Sequence, residues 1–378
     1  MKRVKGAWSV GLFTVLACGG EKTDPSVSKV DTNETTPKDS AEESKSDSGE
    51  SGEEVPDPAA ESVEKITQAA TALLDSLSET DRGRAQFAFD DPARKTWSNL
   101  PLAMYAREGI LTGELSVEQR ELAYGLLEAS LSSQGYTQAV NIIDVDEWHR
   151  QNNNDVNMGE DLYAISIFGE PSTTEAWSWQ LDGHHLCFTF TVNVDKVTMS
   201  PSLWGVNPLT IPYGNLEGLR AMGDEVDAGF AFFNTLSEGQ KQIAVLDDTR
   251  TPGLLAGPGK DDFTIPAGVL GLSAKELSEA QKTLLLGLVQ TYILDMEDTH
   301  AALRMAEIEA GVDDLHFAWM GPSSFGSEIY FRIYGPTVLI ELDHAGGNNH
   351  IHSVYRNPEN DYGEGILAAH YARYPHDH

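Results

Sequence analysis

Cysteine is almost absent from this chain of 378 residues, which contains only Cys18 and Cys187. Two cysteines allow at most one disulfide, so a disulfide framework cannot be the source of stability. The folded part must instead depend on a hydrophobic core. A hydrophobic fraction of 40% over this length is sufficient to build one.

Basic residues are scarce as well, because 26 Lys and Arg stand against 59 Asp and Glu, for a formal net charge of -33. Binding to nucleic-acid phosphates requires clustered Lys and Arg, so the composition argues against a nucleic-acid partner. It also leaves no basic patch for anionic lipid headgroups. Any attachment to a membrane must therefore use another feature of the chain.

Long apolar runs are lacking too. The apolar run at residues 7–17 follows three basic residues and is too short to span a bilayer, which is typical of an export signal. It ends in Val-Leu-Ala-Cys at Cys18, which resembles the lipobox of bacterial lipoproteins. The resemblance implies a signal peptide at residues 1–17 and a lipid anchor at Cys18, and Gly19 favours the outer membrane of a Gram-negative envelope. The alternative is an uncleaved anchor with an accidental cysteine.

Residues 18–61 contain almost no large apolar side chains and consist mainly of Ser, Thr, Glu, Asp, Pro and Gly. Such a composition cannot offset the entropy lost on ordering. We therefore expect an acidic, disordered tether between the lipid anchor and the folded part. A tail that binds a basic partner is the alternative.

Periodic apolar residues begin at Ser62, and the pattern predicts one large domain over residues 62–378. Helical periodicity is predicted over residues 63–77, 116–135, 136–148 and 273–308, with capping boxes at Ser116 and Ser273. Alternating strands are predicted over residues 162–168, 184–194, 329–334 and 337–343. This grouping is not a regular βαβ alternation, so it favours an α+β fold with a largely antiparallel sheet flanked by helices. No internal repeat of fixed period is visible.

A His-x-His pair, His350 and His352, lies in a short β-type run near the end of the chain. Strand side chains alternate between faces, so both imidazoles should project toward the same point. Two imidazoles in this arrangement are typical ligands of a divalent transition metal, zinc among them. The alternative is that the pair is a hydrogen-bonded part of the sheet surface.

A second histidine pair, His184 and His185, opens the most strictly alternating strand. His184 is in phase with the apolar set at Leu186 and Phe188, whereas His185 is in phase with Cys187. If the apolar set faces the core, His185 is the better third ligand. Three imidazoles would leave a fourth metal position for water, as in zinc enzymes that activate water, which suggests a metal-dependent hydrolase or related enzyme.

Carboxylates that could orient the imidazoles or act as a catalytic base are Glu170, which ends a predicted strand, and Asp343, which precedes the His pair. A competing function is that of a non-catalytic envelope protein that binds a small ligand or glycan. Exposed Trp177 and Trp179 would then stack on the ligand, with Asn349 and Arg356 as polar groups. Buried, the two tryptophans would belong to the core.

Several segments resemble the bacterial family known as domain of unknown function 3500. They are Phe87-Ala88-Phe89-Asp90-Asp91-Pro92, Phe168-Gly169-Glu170-Pro171, Trp177-Ser178-Trp179, Gly183-His184-His185-Leu186, Trp204-Gly205-Val206-Asn207-Pro208, His316-Phe317-Ala318-Trp319 and Asn349-His350-Ile351-His352-Ser353-Val354-Tyr355-Arg356. The resemblance covers about residues 85–371. It implies one continuous domain and carries no reaction with it.

Overall fold

The computed structural model describes residues 57–251, 253–261, 264–347 and 349–373. The predicted signal peptide, Cys18 and nearly all of the predicted tether lie outside these residues. The first helix begins at Pro58, and its N-cap, Asp57, accepts a hydrogen bond from the backbone of Ala59. Helical structure therefore starts four residues before Ser62, inside the segment that the sequence assigns to the tether.

The described residues contain nine α-helices: α1 Pro58–Ser76, α2 Glu79–Ala85, α3 Val117–Ser130, α4 Ser133–Asn153, α5 Gly223–Asn234, α6 Glu238–Ala244, α7 Glu279–Ile293, α8 Asp298–Ala310 and α9 Glu364–Arg373. The strands are β1 Gln86–Phe87, β2 Ile110–Leu111, β3 Ala164–Phe168, β4 Trp177–Asp182, β5 Leu186–Asn193, β6 Lys196–Val206, β7 Val245–Asp247, β8 Leu272–Ser273, β9 His316–Met320, β10 Tyr330–Tyr334, β11 Leu339–His344 and β12 Ile351–Arg356. In this part of the chain no helix combines the length and the apolar composition of a membrane span.

All of these strands join one sheet, in the order β1-β3-β4-β5-β6-β12-β11-β10-β9-β7, with β2 beside β3 and β8 beside β9. Pairing is antiparallel except between β1 and β3 and between β7 and β9. The predicted α+β fold with a largely antiparallel sheet in a single domain is thus confirmed.

The order of elements occurs twice along the chain, although the sequence shows no repeat of fixed period. Each repeat runs helix, helix, short strand, loop, short strand, helix, helix and four meandering strands, and the two meet where β6 pairs with β12. Leu203 pairs with Val354 at this junction. The similarity is visible in Glu114-Leu115-Ser116-x-x-Gln119 and Glu276-Leu277-Ser278-x-x-Gln281, which cap α3 and α7 in the same way.

The capping box predicted at Ser116 is confirmed, since its hydroxyl accepts from the backbone of Gln119. The box predicted at Ser273 was placed one turn too early. Ser273 caps a short 3-10 helix, and α7 is capped by Ser278 with Gln281. Two capping signals follow each other closely in the sequence, and spacing alone cannot tell which begins the longer helix.

The two faces of the sheet are buried differently. One face carries the main core, in which Leu186, Phe188 and Trp204 pack with the helices. The other face carries a smaller apolar cluster that contains Cys187, Leu203 and Val354 with Trp97, Leu254 and Tyr362. The predicted phase of β5 is therefore correct: its strongly apolar set faces the main core, and Cys187 faces the opposite side.

Two loops cover the second face, and they occupy equivalent places in the two repeats. The first covering loop joins β1 to β2 and the second joins β7 to β8. Buried charged side chains of the sheet hold the second loop, because the carboxylate of Glu341 accepts hydrogen bonds from the backbone N–H groups of Leu255 and Ala256 at 2.9 and 2.7 Å. Hydrogen bonds of this kind satisfy a buried carboxylate without a partner cation.

Candidate functional site

The His-x-His pair lies at the start of β12, where this strand is bordered by β6 and β11. His352 is opposite Gly205 on one side and Asp343 on the other. The Nε2 atoms of His350 and His352 are 3.1 Å apart. The two imidazoles therefore approach the same point, as their spacing in the sequence predicts.

His185 reaches that point from the neighbouring pair of strands. It directly precedes β5, and its carbonyl accepts a hydrogen bond of 2.6 Å from the N–H of Gly205. Its Nε2 atom lies 3.2 Å from Nε2 of His350. The three histidines, His185, His350 and His352, each offer a ring nitrogen, and these nitrogens all lie within 4.8 Å of one another. We call them the histidine cluster.

Gly205 provides the space that the cluster occupies. A Cβ atom at this position would lie 3.0 Å from Cδ2 of His352 and 3.1 Å from Cδ2 of His185. Both distances are tighter than ordinary van der Waals contact, so a side chain here would push the two rings away from their common point.

His184 does not belong to the group formed by His185, His350 and His352. Its Nδ1 atom is 2.9 Å from Sδ of Met158, and its ring contacts that of His185, with 3.8 Å between the centroids and a tilt of 34° between the ring planes. Among the described residues it belongs to a second group of possible metal ligands, with Asp146 and His185. The structure thus brings His185, rather than His184, together with the His-x-His pair.

Asp146 is the carboxylate that contacts the histidine cluster, and sequence reasoning missed it. It lies on α4, and its Oδ1 atom is 2.7 Å from Nδ1 of His185. Its Oδ2 atom accepts a 2.7 Å hydrogen bond from the hydroxyl of Tyr163. His185 is fully buried and Asp146 is 1% exposed, so the pair forms away from water. Gly183 makes room for the Tyr163 ring, since a Cβ there would be 2.1 Å from it.

Burial determines the protonation of the cluster. Desolvation, followed by the neighbouring imidazoles, lowers the pKa of His185 and of His352 well below the usual value, and desolvation also lowers the pKa of His350. The pKa of His184 falls to about 3 for the same reasons. Burial raises the pKa of Asp146. At neutral pH the imidazoles are therefore uncharged, and each has a lone pair available.

Two further polar residues border the cluster. The Nδ2 atom of Asn99, in the first covering loop, lies 3.3 Å from Nδ1 and 3.5 Å from Nε2 of His352. His149 lies one turn after Asp146 on α4 and interacts electrostatically with Asp146, His185 and His350. Its Nδ1 atom is buried without a hydrogen-bond partner among the described residues. Neither residue carries a local sequence signal, because a covering loop and a helix bring them to the strand ends.

The predicted carboxylates do not reach the imidazoles. The start of β3 lies near the cluster, where Ala164 pairs with Asp182. Glu170 follows the other end of this strand, where Phe168 pairs with Ser178. Its carboxylate instead contacts Arg82 and Gln86. At about 3.3 Å per residue, the length of β3 separates Glu170 from the cluster by more than 10 Å, so the structure does not bring Glu170 to the imidazoles.

Asp343 is closer, because it lies opposite His352 on the neighbouring strand. Its two oxygens accept hydrogen bonds from Nη1 of Arg250 at 2.7 Å and from the N–H of Gly253 at 2.9 Å. The carboxylate thus holds the second covering loop. The groups that occupy its oxygens belong to that loop rather than to an imidazole.

The aromatic platform predicted for ligand stacking is absent at the proposed residues. Trp177 is fully buried and Trp179 is 1% exposed, and the Trp179 ring stacks on Phe190 with 4.8 Å between centroids. Both tryptophans belong to the main core. Alternation on β4 and β5 places them on the face covered by helices, so they cannot present a surface to a ligand.

The two polar groups proposed with them have structural partners. The side-chain oxygen of Asn349 accepts a hydrogen bond from the N–H of Thr210 at 3.1 Å. Arg356 is fully buried, and its guanidinium donates to the carbonyl of Lys260 at 2.8 Å and to the carboxylates of Asp261 and Asp361. Arg356 therefore holds the second covering loop and the turn before α9.

A cleft between the two covering loops leads to the cluster. It consists of a cavity of about 320 Å³, lined by Asn99, Asp343, Lys260 and His352 among others, and a cavity of about 520 Å³ farther out, lined by Trp97 and Tyr105 among others. Asn99 and Pro258 line both cavities. The cluster is thus buried on the side of Asp146 and accessible on the side of His352.

Comparison with known proteins gives a family and no activity. No curated protein matches the chain, and no solved structure does. A family model described as "Protein of unknown function (DUF3500)" matches residues 59–364. The match covers most of the chain and includes both histidine pairs, Asp146 and the two covering loops. The chain therefore belongs to the DUF3500 family of proteins of unknown function.

Proposed function

We propose that the histidine cluster binds one divalent transition-metal ion, with zinc as the physiological ion, and that the protein uses it in hydrolysis or a related reaction. The supporting observation is the convergence of three Nε2 atoms from two distant parts of the chain. In a tetrahedral zinc site with Zn–N bonds of about 2.0–2.1 Å, ligand nitrogens lie roughly 3.3–3.4 Å apart. The separations of 3.2 Å between His185 and His350 and 3.1 Å between His350 and His352 are close to this value.

The arrangement of protons supports the same conclusion. If Nδ1 of His185 donates to Asp146, its Nε2 carries a lone pair that points at His350. Uncharged imidazoles whose lone pairs converge repel one another unless a proton or a cation lies between them. Burial keeps the pKa of these groups low, so each ring carries a single N–H. An N–H at Nε2 of His350 can donate to only one of its two neighbours, whereas a metal ion satisfies all three nitrogens at once.

Asp146 completes a histidine–carboxylate pair of the kind that orients metal ligands. Its contact with Nδ1 of His185 selects the tautomer that leaves Nε2 free, and Tyr163 fixes the carboxylate in turn. A divalent ion held by three imidazoles keeps a fourth position for water, whose pKa it lowers toward neutrality. On the side of the cleft, Asn99 contacts His352 and is in position to orient a bound molecule.

Metal analysis of the purified protein tests the proposal. After dialysis against Zn²⁺ and removal of excess ion, elemental analysis should give one ion per chain. His352→Ala and His185→Ala should lose it, whereas His316→Ala, a histidine of β9 outside the cluster, should keep it. The proposal is wrong if the wild-type protein retains no stoichiometric transition metal, or if the cluster variants retain as much as wild type.

We also propose that the protein is a lipoprotein of the cell envelope, anchored through Cys18, with a signal peptide removed and the family domain held away from the membrane by the acidic tether. The support is the sequence pattern at residues 1–18 and the scarcity of large apolar side chains in residues 18–61. In a Gram-negative host, metabolic labelling with a fatty-acid analogue should label the wild-type chain and not Cys18→Ser. Equal labelling of both chains would contradict the proposal.

A further inference from the structure

We infer that the ligand taking the open metal position is a small organic anion with a carboxylate head, and that Asn99 and Lys260 hold this head at the inner end of the cleft. This inference rests on the proposed metal site. It names the class of molecule that the cleft selects, for which the family gives no indication.

The first step is the geometry of the cleft. His352, Asn99 and Lys260 all line the inner cavity, which has a volume of about 320 Å³. A molecule that fills this cavity therefore lies beside all three residues. A volume of this size accommodates a small organic molecule rather than a water molecule alone. Asn99 also lines the outer cavity, so the rest of a longer ligand would lie there, between the two covering loops.

The second step is the donor that Asn99 provides. Its amide nitrogen lies 3.3 and 3.5 Å from the two ring nitrogens of His352. If a metal ion were held by Nε2 of His352, the Asn99 amide, 3.5 Å from that nitrogen, would be free to donate to the oxygen of a second ligand. An oxygen with negative charge accepts such a bond more strongly than a neutral one.

The third step is the balance of charge. The inner cavity contains one carboxylate, Asp343, and both of its oxygens are already occupied by Arg250 and the N–H of Gly253. Lys260 lines the same cavity, and its ammonium group donates to the carbonyl of Leu254, a neutral acceptor. With a divalent ion, a lysine and an amide donor around it, the inner cavity attracts an anion even though the chain as a whole is strongly acidic.

Binding of acetate to the Co²⁺-substituted protein tests this inference, because Co²⁺ in a three-histidine site has a visible spectrum that changes when the fourth ligand is exchanged. Acetate should change the spectrum in a saturable way, and uncharged acetamide should not. Asn99→Ala and Lys260→Gln should each weaken acetate binding about tenfold, the loss expected for one hydrogen bond or ion contact to a charged group. Both variants should still bind one Co²⁺ ion.

The matched control is Lys95→Gln. Lys95 lines the outer cavity, where it pairs with Glu364, so its removal should leave acetate affinity unchanged. If Co²⁺ does not bind to the wild-type protein, the proposed metal site itself fails. If Co²⁺ binds but acetate acts no more strongly than acetamide, or the two cleft variants bind acetate as wild type does, the metal site stands and the inference about the ligand is overturned.

Discussion

The Nδ1 atom of His185 lies 2.7 Å from Oδ1 of Asp146, and a helix thereby fixes the ring of a residue at a strand end. The carboxylate is itself held by Tyr163. The hydrogen bonds therefore run from Tyr163, just before β3, to Asp146 on α4 and on to His185, just before β5. They determine the direction of the His185 imidazole.

Asp146→Asn should weaken metal binding without removing the metal site. The asparagine keeps the volume but replaces a charged acceptor with a neutral one, and loss of such an outer partner typically lowers metal affinity by about 10–100-fold. Competition with a chromophoric zinc chelator measures the change. Asp144→Asn, on the same helix but outside the cluster, is the control. Equal affinities of Asp146→Asn and wild type would show that Asp146 does not orient the ligand.

Gly205→Ala should disrupt the cluster, because its Cβ would come within 3.0 and 3.1 Å of the rings of His352 and His185. Overpacking of this kind costs about 1–3 kcal/mol, so the free energy of unfolding and the metal content should both fall. Chemical denaturation and elemental analysis measure the two effects. Gly239→Ala in α6 is the comparison, since nothing lies within 4 Å of its Cβ position, and it should not destabilise the protein. Full metal content in Gly205→Ala would contradict the expectation.

Glu225 should make the protein less stable as pH rises. Burial raises its pKa to about 7, above the value of an exposed glutamate, so the folded state binds a proton that the unfolded state has lost. Between about pH 4.5 and 7 the folded state binds more protons, and the free energy of unfolding therefore falls with pH, by roughly 3 kcal/mol at most for this shift. Asp295, whose pKa burial and Glu225 raise well above its usual value, should act in the same direction.

Glu225→Gln should remove the part of the pH dependence of stability that comes from Glu225. The amide stays uncharged, so the variant should exceed wild type in stability at pH 8 and approach it at pH 5, as measured by urea denaturation. Asp224→Asn, at the exposed neighbouring position, should follow the wild-type curve. If Glu225→Gln is not stabilised relative to wild type at pH 8, the carboxylate is not a buried acid with a raised pKa.

Glu341→Gln should loosen the second covering loop. Both oxygens of Glu341 accept backbone hydrogen bonds from Leu255 and Ala256, and a glutamine would turn an N–H group toward one of these donors. Amide hydrogen exchange should accelerate at residues 253–261 while the helices keep their protection. Glu279→Gln, at an exposed site in α7, should change neither. Unchanged exchange in the loop would show that Glu341 does not hold it.

The sequence predicts what depends on local alternation and leaves out what depends on contacts between distant elements. The common direction of His350 and His352, and the face of His185, follow from strand geometry and were predictable. Asp146 was not, because helical spacing gives no information on which strand end a helix will meet. Glu170 was correctly placed after a strand, but a single strand does not show which of its ends lies near the histidines. The repeat follows no fixed period in the sequence, and it becomes visible only in the order and pairing of the elements.

The repeat has a consequence for what a metal ion would do in this protein. Gly183 and Gly335 begin the same turn in the two repeats, so Thr337 occupies the place of His185, and its carbonyl is bound by the guanidinium of Arg304. One end of the sheet thus carries the guanidinium of Arg304, which is a permanent cation. The other end carries the histidine cluster, where a bound metal ion would be an exchangeable cation. Because the same architecture forms without histidines in the second repeat, chelation should release the ion and leave the fold intact, unlike in zinc fingers that unfold without metal.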